Sequence, residues 1–108
     1  VILNDMDHPI PAYNHWVIWN LPVMSIIPGN IPRGAQVPSL SGAIQGIGYG
    51  RHAYRGPKPP FHWSHNYQFT VYVLDTVLTL PPTARKKHLL AAMEQHILQQ
   101  AVLRGHYR

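Results

Sequence analysis

Between Val23 and Pro60 a proline or glycine recurs every few residues, and no helical period survives that spacing. Whatever the chain builds must therefore rest on the apolar runs flanking this stretch, with ordered loops between them. On the near side, Val1-Ile2-Leu3 ends at Asn4-Asp5 and reads as the tail of a buried strand that delivers Asp5 to a loop. His15 to Leu21 is rich in β-branched and aromatic residues and stops at Pro22, which predicts a central strand. On the far side, Tyr67 to Leu74 alternates apolar and polar residues through its first half, as a half-buried strand does. After Pro81-Pro82, Thr83 is expected to cap a helix reaching about Gln100, with Leu89, Met93 and Ile97 sharing a face with Leu90. Ala101 to Tyr107 would return as a final strand, and Trp19, Tyr72 and the Met93 stripe are assigned to the core.

A chain of 108 residues points to one domain. Charged residues are only 12% against 45% hydrophobic, so charge-driven disorder is excluded. With no cysteine, the chain has no disulfide scaffold, no thiol nucleophile and no cysteine-ligated zinc. The net charge of +5 favours anionic partners, but Arg85-Lys86-Lys87 is the one compact basic run and no nucleic-acid motif accompanies it, so no specific nucleic-acid partner is expected. Those three cations fall at the positive end of the expected helix, where they cost rather than add stability. No apolar run approaches the roughly 18–20 residues of a transmembrane segment, and a cytoplasmic location is expected.

The polar groups that lie at strand ends or in adjoining loops are Asp5, Asp7, His15, His65 and Tyr67. Asp5-Met6-Asp7 sets two carboxylates before a rigid proline, a geometry that suits orienting imidazoles, holding a cation or forming a tight turn. His62 and His65 at i, i+3, together with His52 and the aspartates, offer metal ligands, but eight histidines make such spacings common and no metal is expected. There is no Gly-x-Ser-x-Gly elbow, phosphate-binding glycine loop, dinucleotide fingerprint or His-Glu-x-x-His pair, so no signature supports turnover.

Four short motifs occur in one order: Asp5-x-Asp7-x-Pro9, His15-Trp16, Gly56-Pro57-x-Pro59-Pro60 and His65-x-Tyr67. In this the chain resembles the phosphatidylethanolamine-binding protein family, which includes the Raf kinase inhibitor protein and bacterial relatives. Tyr67 to Asp75 is similar to that family's strand after the histidine, and Leu89 to Tyr107 to the C-terminus of its bacterial members. The chain departs from the family pattern at Met6, where a proline is usual, and at Asn66, which removes a cation from a His-Arg-Tyr motif. Phe61-His62-Trp63-Ser64 also replaces a glycine-containing link.

The resemblance implies a mainly β, sandwich-like domain with one C-terminal helix, and a small pocket for phosphate-like anions or phospholipid head groups without a cofactor. Asp5, Asp7, His15, His65 and Tyr67 would form its polar wall, and Gly56, Pro57 and Pro60 would shape backbone that approaches the ligand. Imidazole N–H and phenolic O–H groups donate to phosphate oxygens, whereas aspartates facing an anion repel it and are assigned to orienting histidines or receiving a head-group ammonium. The alternatives are an inhibitor that docks on a kinase or protease through an aromatic rim of Tyr54, Phe61 and Trp63, and a hydrolase using the His/Asp pocket. Because family members carry strands ahead of the first motif, the chain is expected to be the C-terminal major part of the fold, with a second chain or a homo-oligomer covering the missing strands.

Overall fold

The computed structural model describes residues 1–7, 13–22, 24, 31–48, 52 and 65–107, with side chains through residue 105. Among these residues six strands form one antiparallel sheet: β1 (Ile2–Asp5), β2 (Tyr13–Trp19), β3 (Gln36–Val37), β4 (Ala43–Gln45), β5 (His65–Leu74) and β6 (Ile97–Tyr107), in the order β3-β4-β2-β1-β5-β6. The α-helix found among the described residues, α1 (Lys86–Met93), packs on one face. The domain is thus mainly β with one helix. No helix among the described residues is long and apolar enough to cross a membrane.

Apolar side chains on both sides explain the placement of β1 and β2 at the centre of the sheet. Ile2, Val17 and Trp19 point to one face and pack with Leu78, Ala84, Leu89 and Met93 beneath α1. Leu3, Trp16 and Ile18 point to the other face and pack with Val37, Leu40, Ala43 and Tyr67. A strand buried on both faces reads as a continuous apolar run rather than an alternating one, as 16–19 does. β5 divides the task along its length. Its first half buries His65 and Tyr67 on the second face, and its second half turns Thr70, Tyr72 and Leu74 towards the helix side, so the alternation visible at 67–70 fades.

The helix is shorter than the sequence predicts, beginning after Arg85 instead of Thr83 and ending at Met93 instead of about Gln100. Its start is capped by His88, whose Nδ1 accepts the Arg85 N–H at 3.0 Å. Its end depends on Gln95, which takes a left-handed backbone at φ 68 without the glycine that usually marks such a stop. Residues 97–100 then pair with 72–74 of β5. Leu89 and Met93 lie in the core as expected, whereas Leu90 and Ile97 are exposed. Tertiary pairing along a ten-residue strand outweighs the helical preference of the Gln-rich segment.

In the long Pro/Gly-rich stretch the described residues hold β3, β4 and a 3-10 turn at Pro38–Leu40. Gln45, fully buried, fastens this region: its Oε1 accepts the Trp16 indole N–H at 2.8 Å, and its amide donates to the carbonyls of Pro32 and Gly34 at 2.8 and 3.0 Å. Gly46 next to it allows close packing, since a Cβ there would strike the Trp19 ring and come within 2.6 Å of the Ala84 carbonyl oxygen. Gly46→Ala is expected to destabilise the domain by about 1–3 kcal/mol through overpacking, measured as a lower midpoint in thermal unfolding.

Candidate functional site

Strand direction assembles the site. β1 runs antiparallel to both neighbours, so its C-terminal end meets the starts of β2 and β5. Asp5 stands opposite Tyr13 on one side and Tyr67 on the other. Side chains in such a row share one face of the sheet, and His65 and Tyr67, two apart on β5, share it too.

His15 reaches this face by a different device. The pairing runs Leu3 with Trp16 but Asn4 with Asn14, which leaves His15 as the extra residue of a β-bulge. With strict alternation, His15 and Trp16 would point to opposite faces. Here His15 meets the Tyr67 ring edge-on at a centroid distance of 5.5 Å, while Trp16 packs in the same apolar cluster as Tyr67. Asn14 stitches the bulge, its amide donating to the Leu3 carbonyl at 3.1 Å, the Asn4 side chain at 3.3 Å and the Trp16 carbonyl at 3.1 Å.

The two carboxylates do separate work. Asp5 is 2% exposed and both its oxygens are engaged: Oδ2 accepts from His65 Nδ1 at 2.7 Å, and Oδ1 accepts the Asp7 N–H at 2.9 Å. Because Asp5 accepts from Nδ1, a neutral His65 carries its proton on that nitrogen and Nε2 points away from the carboxylate. Asp7 is exposed, and its Oδ2 accepts the Asn66 backbone N–H at 2.6 Å while the Met6 N–H bonds to the Asn66 carbonyl at 2.8 Å. The Asp-x-Asp turn is thereby clamped to the start of β5. Asn66 contributes its backbone, not its side chain, to this clamp.

Of the side chains singled out in the sequence, the structure brings Asp5, His15, His65 and Tyr67 together, all buried, with Asp7 at the edge. His65 and Tyr67 rings lie 6.3 Å apart. Gly56, Pro57 and Pro60, and the rim residues Tyr54, Phe61 and Trp63, lie outside the described residues. Among the described residues no three metal-ligating side chains gather. Sequence reasoning passed over Tyr13, whose ring stands edge-on to His15 at 6.1 Å, although the Tyr13-x-His15 spacing carried the signal.

Because Asp5 accepts from both the His65 ring and the Asp7 turn, Asp5→Ala leaves a buried imidazole nitrogen and an N–H without this partner. The expected loss of stability is about 1–3 kcal/mol, read from the denaturant midpoint. Asp7→Ala, at an exposed position, should cost less.

The sequence profile of the phosphatidylethanolamine-binding protein family matches residues 1–108. A UPF0098 protein of Pyrococcus horikoshii is 43% identical over 99% of the chain and 55% of its own length, and one of Pyrococcus abyssi is 44% identical over 99% of the chain and 61% of its own length. The chain therefore spans about half to three-fifths of these relatives. A solved structure of a phosphatidylethanolamine-binding protein homologue from Chlamydia trachomatis superposes with a TM-score of 0.78 at 36% identity, covering 99% of this chain and 69% of that one. With the family profile matched from end to end and the fold shared, the chain belongs to the phosphatidylethanolamine-binding protein family.

Proposed function

We propose that the chain, a binding protein of this family, holds a phosphate-like anion, free or as a phospholipid head group, between His15 and His65, and that it does so without catalysing a reaction. The observation that carries this reading is the buried Asp5–His65 contact at 2.7 Å with His15 and Tyr67 on the same face. The His65 side chain keeps 10% of its surface exposed against 3% for Asp5, so the histidine, not the carboxylate, is the group presented to a ligand.

The chemistry follows from the proton count. With Nδ1–H committed to Asp5, neutral His65 offers only a lone pair at Nε2, which an anion does not accept. Protonation converts Nε2 into a donor. Binding an anion is then coupled to holding a proton. Asp5, with both oxygens occupied, is a positioning group and not the seat of a head-group ammonium. Tyr67 supplies an aromatic wall, and the net charge of +5 draws anions towards the molecule. No activated nucleophile accompanies the histidines in the sequence, which favours binding over hydrolysis.

The test uses dimethyl phosphate, a phosphodiester whose own charge is constant across the range where imidazoles titrate. His15→Ala and His65→Ala should remain folded and each lose about one to two decades of affinity by calorimetric titration, the weight of one charge-assisted donor. Wild-type affinity in both variants would remove these residues from the site. For the unmodified chain, affinity should fall as pH rises from about 5 to 8, because neutral His65, its Nδ1–H given to Asp5, has no donor left for the anion. A flat profile would argue against histidine donors.

A further inference from the structure

Two registers bring β2 past the end of β1, and they differ in which side chain is set beside Asp5. In a regular ladder continued from the Leu3–Trp16 pair, His15 would stand opposite Asn4 and Asn14 opposite Asp5. Opposed residues share a face and successive residues alternate, so His15 would then point to the α1 side of the sheet with Ile2 and Val17. Asn14 would take its place beside Asp5. The observed pairing instead sets Asn14 opposite Asn4 and Tyr13 opposite Asp5, with His15 left over between them. Only this second register gives His15 to the face of Tyr67, where the two rings meet at 5.5 Å.

Such a bulge disrupts the ladder around the extra residue, and the backbone groups beside it need partners from elsewhere. Asn14 supplies them. Its Nδ2 lies 3.1 Å from the Leu3 carbonyl oxygen on β1 and 3.1 Å from the Trp16 carbonyl oxygen on β2, and the second of these contacts spans His15 itself. A third contact, to Asn4 Oδ1 at 3.3 Å, joins the two asparagines across their pair. In the regular register Asn14 would stand opposite Asp5 and give that contact up. Three oxygens around one nitrogen also fix the orientation of the amide, because its own oxygen in that position would repel all of them. On the other side the amide is walled by backbone: a Cβ on Gly48 would come within 2.8 Å of Asn14 Oδ1 and of the Trp16 N and Cα atoms.

We infer that Asn14 is a positioning residue for the anion site, holding β2 in the bulged register so that His15 is turned onto the face of His65 and Tyr67. The inference rests on the reading of His15 as an anion ligand and adds to it a residue that acts on the anion through His15 alone. Alanine at position 14 has no donor for the three oxygens, and a serine hydroxyl has one hydrogen where the amide has two.

The test is a double-mutant cycle on dimethyl phosphate affinity, with Asn14→Ala, His15→Ala and the two combined, each titrated well below its own unfolding transition. Asn14→Ala should weaken binding by about tenfold or more, towards the loss in His15→Ala, and the combined variant should bind no more weakly than His15→Ala alone. Unchanged affinity in Asn14→Ala would overturn the inference and leave Asn14 with a structural role only. So would an equal loss added on top of His15→Ala, which means a route other than the imidazole. A second readout needs no ligand. Nuclear Overhauser contacts between the His15 and Tyr67 rings, expected in the unmodified chain, should vanish in Asn14→Ala, and their persistence there would also overturn the inference. Wild-type affinity in His15→Ala together with loss of those contacts in Asn14→Ala would sink the anion reading while upholding the placement of His15 by Asn14. Should Asn14→Ala not fold, Gly48→Ala presses on the same amide and the same Trp16 backbone and is read in the same two ways.

Discussion

The contact between Asp5 Oδ2 and His65 Nδ1 at 2.7 Å joins residues sixty apart in sequence, and much of the molecule is arranged around it. A carboxylate that is 2% exposed needs its oxygens satisfied, and here they bond one imidazole and one turn amide. For that to occur, β1 must lie directly beside β5 in the observed register. A one-residue slip would carry Asp5 to the face occupied by α1, where Ile2, Leu89 and Met93 supply no polar partner. The pair therefore acts on fold and site together: it specifies strand pairing, and it fixes which histidine nitrogen faces outward.

The same sheet puts different demands on its two ends. At the Asp5 end, polar side chains are buried and every bond of the carboxylate is committed, which is the condition for holding a histidine in one orientation. At the Val1 end, the neighbours of β1 run past it and enclose apolar space. β5 records the difference: its inner side chains are on one face near His65 and on the other near Leu74. A strand with uniform alternation would have left one half of its apolar residues without a core. Exposed Val71 and Val73 mark where that change of face occurs.

The strands of the core were legible because apolar runs flanked by turn residues are what β1, β2 and β5 require, and the Asp, His and Tyr residues at their ends were legible as a site because loops at strand ends present side chains. Three features were not. The His15 bulge leaves no mark in the residue pattern, since it depends on the offset between Leu3–Trp16 and Asn4–Asn14 pairing. The end of α1 at Met93 rests on Gln95 in a left-handed conformation, where a reader looks for glycine. The part played by Gln45 is likewise invisible locally: a glutamine beside glycine reads as loop surface, yet it is fully buried and bonded to Trp16, Pro32 and Gly34.

Gln45 and the bulge also bear on one another. Trp16 is the residue after His15, and its indole nitrogen is held by Gln45 Oε1 at 2.8 Å while Gly48 lies so close that a Cβ there would come within 2.8 Å of the Trp16 N and Cα atoms. Trp16 is thus fixed from the side chain and from the backbone, and Asn14, on the other side of His15, is fixed by its three hydrogen bonds to β1 and β2. His15 sits between these two anchored residues, its ring edge-on to those of Tyr13 and Tyr67. Anchoring both flanks concentrates the irregularity of the bulge at the position that faces Tyr67, and it pre-positions the imidazole on the face it shares with Asp5 and His65.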